Sequence, residues 1–149
     1  YYGAYSQWGS AGGPGKTGVG VATMRTNRFA ALTPMNASYP SQLTTKPFDF
    51  TNVCGVSVNL NTAAASDAPL TGALPSSVKV ELLSATGYRI DGFGKANATA
   101  IGPGVDDIDV AAAWTSGHLP ISSPMSMGVM LRVHCTGTAR VYALTLHAC

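Results

Sequence analysis

The stretch from Val129 to Leu146, VMLRVHCTGTARVYALTL, restricts the fold more than any other part of the chain. Val129, Leu131, Val133 and Cys135 alternate with Met130, Arg132 and His134, the period of a strand with one buried face. Thr136-Gly137-Thr138 supplies a short turn, and residues 141–146 return with β-branched and aromatic side chains. The pattern predicts an antiparallel hairpin with Tyr142, Leu144 and Leu146 turned inward. A lone hairpin is marginal in water, so the rest of the chain must supply partner strands and a second layer.

Such partners are legible upstream. Residues 19–25 and 28–32, separated by Thr26-Asn27, read as a first hairpin. Residues 43–50 read as a short extended segment bent at Pro47, and 53–61 as a central strand. Residues 78–83, VKVELL, form the clearest single strand and end in the turn Ser84-Ala85-Thr86-Gly87. Tyr88-Arg89-Ile90-Asp91 and residues 108–114 complete the set, and no segment has helical periodicity. Many short strands separated by Gly- and Pro-bearing turns predict an all-β protein, a single antiparallel β-sandwich spanning residues 18–149. Residues 1–17 stand outside that pattern as an extended, non-globular segment rich in Gly and aromatics.

At 149 residues the chain can bury a core without staples. Charged residues make up only 11% of it, well under the roughly 25% of ordinary soluble domains. A surface this poor in charge suits a glycan-covered protein or one that buries itself in an assembly. The net charge of +2 comes from scattered residues without a basic run, which disfavours nucleic acid and anionic membrane as partners. No apolar run reaches the roughly 18 residues of a membrane span. A chain opening on Tyr1 is expected to be a processed product.

Two glycosylation sequons, Asn36-Ala37-Ser38 and Asn97-Ala98-Thr99, fall in predicted turns and point to an extracellular, secreted glycoprotein. Three cysteines point the same way. On the hairpin reading Cys135 lies beside the turn and Cys149 at the far end, too distant to be joined. Cys54 shares the parity of Val56, Val58 and Leu60, and Cys135 that of Leu131 and Val133. Cys54–Cys135 is therefore the favoured disulfide, with Cys54–Cys149 the alternative and reduced buried thiols the competing reading.

Few residues offer chemistry. Gly15-Lys16-Thr17 imitates the end of a phosphate loop, but Ser10 stands where the motif needs Gly, so no nucleotide cofactor is expected. Asp106, Asp107 and Asp109 form the one carboxylate cluster, a weak calcium candidate and otherwise a charged loop leading into a strand. Glu81 lies mid-strand with no partner carboxylate in view, as paired-acid hydrolysis would need. His134 and His147 are expected to be well separated, all three histidines, His118 included, are expected to be solvated or hydrogen-bonded, and no G-x-S-x-G elbow accompanies them. No catalytic residues are expected. Trp114, Tyr88 and Phe93 could each stack on a sugar ring, as lectin-like aromatics do.

Several phrases occur in one order: residues 18–25 with Phe29, Thr44-Thr45-Lys46-Pro47-Phe48, Val58-Asn59-Leu60-Asn61, residues 78–83, Gly87, Gly92-Phe93, Trp114, Leu131-Arg132-Val133 and residues 139–144. This order resembles the concanavalin-like jelly-roll module that accompanies fructan- and sucrose-cleaving glycosidases and recurs in large bacterial secreted proteins. The resemblance covers about residues 18–146. It implies a jelly roll without catalytic residues that acts as a packing or carbohydrate-associated domain. Where the family has an acidic residue and Gly in the first hairpin turn, this chain has Asn27-Arg28.

The aromatic segment lies outside that resemblance. Tyr1, Tyr2, Tyr5 and Trp8 are four large aromatics in eight residues, costly to leave in water. The segment is either a disordered terminus or a tether that docks on its own domain or a neighbouring subunit. The expectation is a structural protein that self-associates into a homopolymer through Tyr1, Tyr2, Tyr5, Trp8 and the sandwich surface. A lectin-like carbohydrate-binding module is the alternative.

Overall fold

The computed structural model describes residues 24–63, 72–121 and 128–149 in full, and the backbone of 2–5 and 17–20. Eight strands lie within them and no helix: β1 (Tyr2–Tyr5), β2 (Thr17–Gly20), β3 (Ser41–Thr44), β4 (Val53–Asn61), β5 (Ser77–Ser84), β6 (Asp106–Ala111), β7 (Val129–Thr136) and β8 (Arg140–Ala148). The alternation read from the sequence delimits β4, β5 and β7 to within a residue.

Six of these strands form two antiparallel three-stranded sheets, in the orders β3-β7-β5 and β6-β4-β8. One core cluster draws on both. It includes Val56, Val58 and Leu60 of β4, Val78, Val80 and Leu82 of β5, Leu131 and Val133 of β7, and Val141 of β8. The protein is therefore all-β with the two-layer character of a sandwich. Trp114 and Phe93 close one end of the core, edge to face at 5.1 Å, and the Trp114 indole donates to the Val80 carbonyl at 2.9 Å.

The closing hairpin does not form. β7 and β8 are consecutive in sequence but belong to different sheets, so the chain crosses the sandwich at residues 137–139 instead of turning back beside itself. The turn is captured by another segment. Thr136 Oγ1 donates to the Pro75 carbonyl at 2.6 Å, and the Thr138 amide donates to Ser76 Oγ at 3.0 Å. Gly137 has φ +62°, and a Cβ there would collide with the Leu74 carbonyl oxygen and lie 2.8 Å from the Ser76 amide. Ala139, fully buried, is the small side chain that lets the crossing pass through the core.

The first predicted hairpin is also replaced. β2 pairs with β1, with Tyr2 opposite Gly20 and Tyr5 opposite Thr17, in a two-stranded ribbon of its own. This ribbon includes residues on both sides of the division drawn at residue 17. Of residues 28–32 only Leu32 makes a bridge, to Val141 of β8. A turn does form at 25–28, with Asn27 at φ 58° and the Arg28 amide bonded to the Arg25 carbonyl at 3.2 Å.

The disulfide is Cys54–Cys149, with 5.1 Å between Cα atoms, and Cys135 is a free, buried thiol. The favoured Cys54–Cys135 pairing is corrected by a β-bulge. Val53 opposes Ala148 while Gly55 opposes His147, so Cys54 is an extra residue that turns outward at the end of β4. There it meets the end of β8. Cys135 keeps its inward parity, and burial pushes its thiol up to about 11. A second bulge falls where Asn59 opposes Ala143 but Leu60 opposes Val141, making Tyr142 the extra residue. Val141 takes the core position, and Tyr142 is half-buried with the Arg28 guanidinium 4.6 Å over its ring rather than inside the sandwich.

Candidate functional site

The chemistry-bearing side chains collect on the outer faces of the two sheets, in three clusters. On the β6-β4-β8 sheet, Ser57 and Asn59 point away from the core yet are buried. Arg28 covers Asn59. Its guanidinium donates to Asn59 Oδ1 at 2.8 Å, Asp106 Oδ1 at 2.5 Å, the Leu60 carbonyl at 3.1 Å and the Asp107 carbonyl at 3.0 Å. Arg25 adds a 3.2 Å ion pair to Asp106. The Arg28 hydrogen bond and the positive charges of Arg28 and Arg25 hold the Asp106 carboxyl below its ordinary value.

Ser57 lies beside Asp109 and His147. Its hydroxyl donates to Asp109 Oδ1, and His147 Nε2 lies 2.8 Å from Ser57 Oγ. A hydroxyl has one proton. Given to the carboxylate, it leaves Oγ to accept from Nε2–H, so the imidazole is a donor here and not a base. Asp109 also approaches Nε2, at 3.5 Å, rather than the other ring nitrogen, where an acid that orients a catalytic histidine would sit. The arrangement supports a hydrogen-bonded relay from His147 through Ser57 to Asp109 and gives no activated nucleophile. It borders a cleft of about 350 Å³ that also contains His118, Trp114 and the Cys54 end of the disulfide.

Asp106, Asp107 and Asp109 do not converge. They lie within β6 rather than in a loop before it, Asp106 facing two arginines and Asp109 facing Ser57. Among the described residues no three His, Cys, Asp or Glu side chains form a set that could hold a metal.

The third cluster lies on the other sheet around Glu81, whose side chain is buried. Register places Glu81 opposite Arg132 and Lys79 opposite His134. His134 Nε2 lies 2.9 Å from Glu81 Oε2, Arg132 Nη1 at 3.8 Å from the same oxygen, and Arg89 Nε at 3.4 Å from Oε1. Burial pushes this carboxyl up, but the His134 hydrogen bond, the Lys95 amide and the charges of His134 and Arg132 outweigh it and hold it below its ordinary value. Residues 88–98 run along the free edge of β5. They border an open hollow of about 490 Å³ lined by Lys79, Arg89, Lys95, Asn97 and their neighbours.

No family model, curated protein or solved structure matches the chain. The site must therefore be read from its own residues. Among the described residues every buried side-chain nitrogen and oxygen has a hydrogen-bond partner. The polar clusters thus satisfy themselves, as structural networks do.

The structure separates His134 from His147, one on each sheet, as expected. Trp114 and Phe93 are core residues, and Tyr88 is exposed at 76%. Asn36 is exposed, its Oδ1 accepting from the Ser38 amide at 2.8 Å, whereas Asn97 is half-buried at the hollow over β5. Tyr1 and Trp8 lie outside the described residues, and Tyr2 and Tyr5 are described only as backbone of β1. Sequence reading missed the basic cluster, since residues 79, 89, 95, 132 and 134 look scattered along the chain. The available signal was Glu81 itself, a charged residue set among Val80, Leu82 and Leu83 that demands partners when buried.

Proposed function

We propose that this protein is a non-catalytic, extracellular structural glycoprotein whose sandwich, a concanavalin-like jelly roll, self-associates into a filament or sheath. One observation carries the reading. Seven of the ten large hydrophobic side chains exposed among the described residues fall between residues 24 and 48, with Phe29 at 88% and Met35 fully in solvent. Large apolar side chains left in solvent are costly for a monomer and are relieved when a partner covers them, which supports association through this segment. The same segment contains β3, the uncharged edge strand Ser41-Gln42-Leu43-Thr44, which can accept a further strand. The β1–β2 ribbon adds to the case, because two strands alone are marginal in water and gain stability by joining a larger sheet.

Light scattering and negative-stain microscopy test the reading. Particles should be many multiples of the 15.3 kDa chain. Removing residues 1–17, or placing Leu43→Lys on β3, should leave a folded monomer, whereas Lys95→Gln on the far edge should assemble normally. A wild-type protein that stays monomeric up to high concentration would overturn the proposal. Digestion with an amidase specific for N-glycans should lower the mass of the secreted protein through Asn36.

A further inference from the structure

We propose that the hollow over β5 binds an acidic saccharide, with its carboxylate or sulfate groups held by Lys79, Arg89 and Lys95. This inference does not depend on self-association. The register that brings Arg132 to Glu81 and His134 beside Lys79 gathers four of the chain's nine Lys and Arg on one face. Four cations against the carboxylates of Glu81 and Asp91 leave this face two charges positive, equal to the net charge of the whole chain. The excess is not consumed locally. Glu81 uses both oxygens, Oε2 on His134 and Arg132 and Oε1 on the Lys95 amide and Arg89.

Lys79 and Lys95 have no carboxylate partner among the described residues, and the Lys79 ammonium is held by the Lys95 carbonyl at 3.5 Å. Arg89 reaches Glu81 with Nε at 3.4 Å while its side chain is 79% exposed, which leaves the guanidinium open to a further anion. The side-chain amide of Asn97, at the same hollow, makes no hydrogen bond among the described residues and can serve a hydroxyl. These groups point to an anion that also carries hydroxyls.

Size and shape narrow the class. A hollow of about 490 Å³ is far larger than a bare sulfate needs and falls in the range of small-molecule sites, roughly 300–1,000 Å³. No aromatic side chain lines it, so it lacks the stacking platform that nucleobases and neutral sugars use. Charge and amide contacts must do the recognising.

The test uses the 149-residue protein made in a host that does not N-glycosylate, so that no attached glycan competes for the hollow. Calorimetry and amide chemical-shift mapping at low salt would be run with a sulfated heparin disaccharide, with cellobiose and with sodium sulfate. The disaccharide should bind, shift the amides of residues 89–97, and weaken at high salt through screening. The Lys79→Gln/Lys95→Gln double variant should lose at least about tenfold in affinity, whereas Arg140→Gln, a cation on the other sheet, should not. Absence of disaccharide binding, equal binding of cellobiose, an equal loss in Arg140→Gln, or sulfate binding as tight as the disaccharide would each overturn the proposal. Matching thermal midpoints for the variants would show that lost binding is not lost folding.

Discussion

Replacing both Cys54 and Cys149 by Ser removes one covalent tie and leaves the β4–β8 ladder that flanks it in place. The bond joins positions 95 residues apart, so its main effect is on the unfolded chain. Closing a loop of about that length removes roughly 16 cal/mol/K of chain entropy, or about 4.7 kcal/mol at 25 °C. Native domains have about 5–15 kcal/mol in all, so this one bond accounts for a large share of the stability. Urea unfolding followed by far-ultraviolet circular dichroism would read the loss. With a slope of about 2 kcal/mol/M, the midpoint should fall by about 2 M, and the slope itself should rise because the untied unfolded chain exposes more surface. A loss under about 1 kcal/mol with an unchanged slope would refute the entropic argument. Peptide mapping that recovered Cys54 linked to Cys135 would refute the pairing on which it rests.

Three further perturbations follow from the same contacts. Because the Glu81 carboxyl is lower in the folded protein than its ordinary 4.5, it stabilises the fold above that pH and loses the contribution as pH falls through the folded value. Glu81→Gln should cost about 2–3 kcal/mol at pH 7, and its difference from wild type in urea midpoints should shrink below pH 4.5. Gly137→Ala forces a Cβ into a left-handed turn against the Leu74 carbonyl and the Ser76 amide, and should lower stability by more than about 1 kcal/mol in thermal unfolding. Arg28→Lys keeps the charge but loses the planar fork that spans Asn59, Asp106 and two carbonyls, and should cost about 1–2 kcal/mol, with an Asp106 carboxyl less depressed by nuclear magnetic resonance titration.

The strands were legible where apolar alternation runs unbroken, as in Val56-Ser57-Val58-Asn59-Leu60 and Val129 to Cys135. What broke the reading was single inserted residues. Parity arguments assume two-residue periodicity, and one bulged residue moves a side chain to the other face. Cys54 and Tyr142 are such residues, and both were assigned to the core. The hairpin at Val129–Leu146 failed for a different reason. Val133, Cys135 and Val141 face inward whether β8 lies beside β7 or across from it, so the pattern is silent between the two. The decision is made at Thr136 and Thr138 by Pro75 and Ser76, sixty residues earlier in the chain. The basic cluster was hidden likewise, because Glu81 meets Arg132 and His134 only through the β5–β7 register.

The crossing at Gly137 is one instance of a general rule in this chain. β3, β5 and β7 make one sheet and β4, β6 and β8 the other, so every connection from β3 onward changes sheets and no ladder joins consecutive strands among these six. Two three-stranded sheets have four edges, and they are not equal. Residues 88–101 bond along β5 at Leu82, Ser84 and Val78, and Leu32 bonds to Val141 at the start of β8. β6 carries Asp106, Asp107 and Asp109, and Arg25 and Arg28 cap the carbonyls of Asp106 and Asp107, so an incoming strand would have to displace charge. β3 has neither a charged residue nor a covering segment among the described residues. It is also the edge nearest in sequence to Phe29, Met35 and Tyr39, three of the four most exposed large hydrophobic side chains among the described residues. Two copies joined only through β3 would close a dimer, so the proposed filament needs a second, complementary surface, and the two-stranded β1–β2 ribbon is the element that can supply it. On that proposal a lysine on β3 blocks assembly without touching the core, which separates assembly from folding.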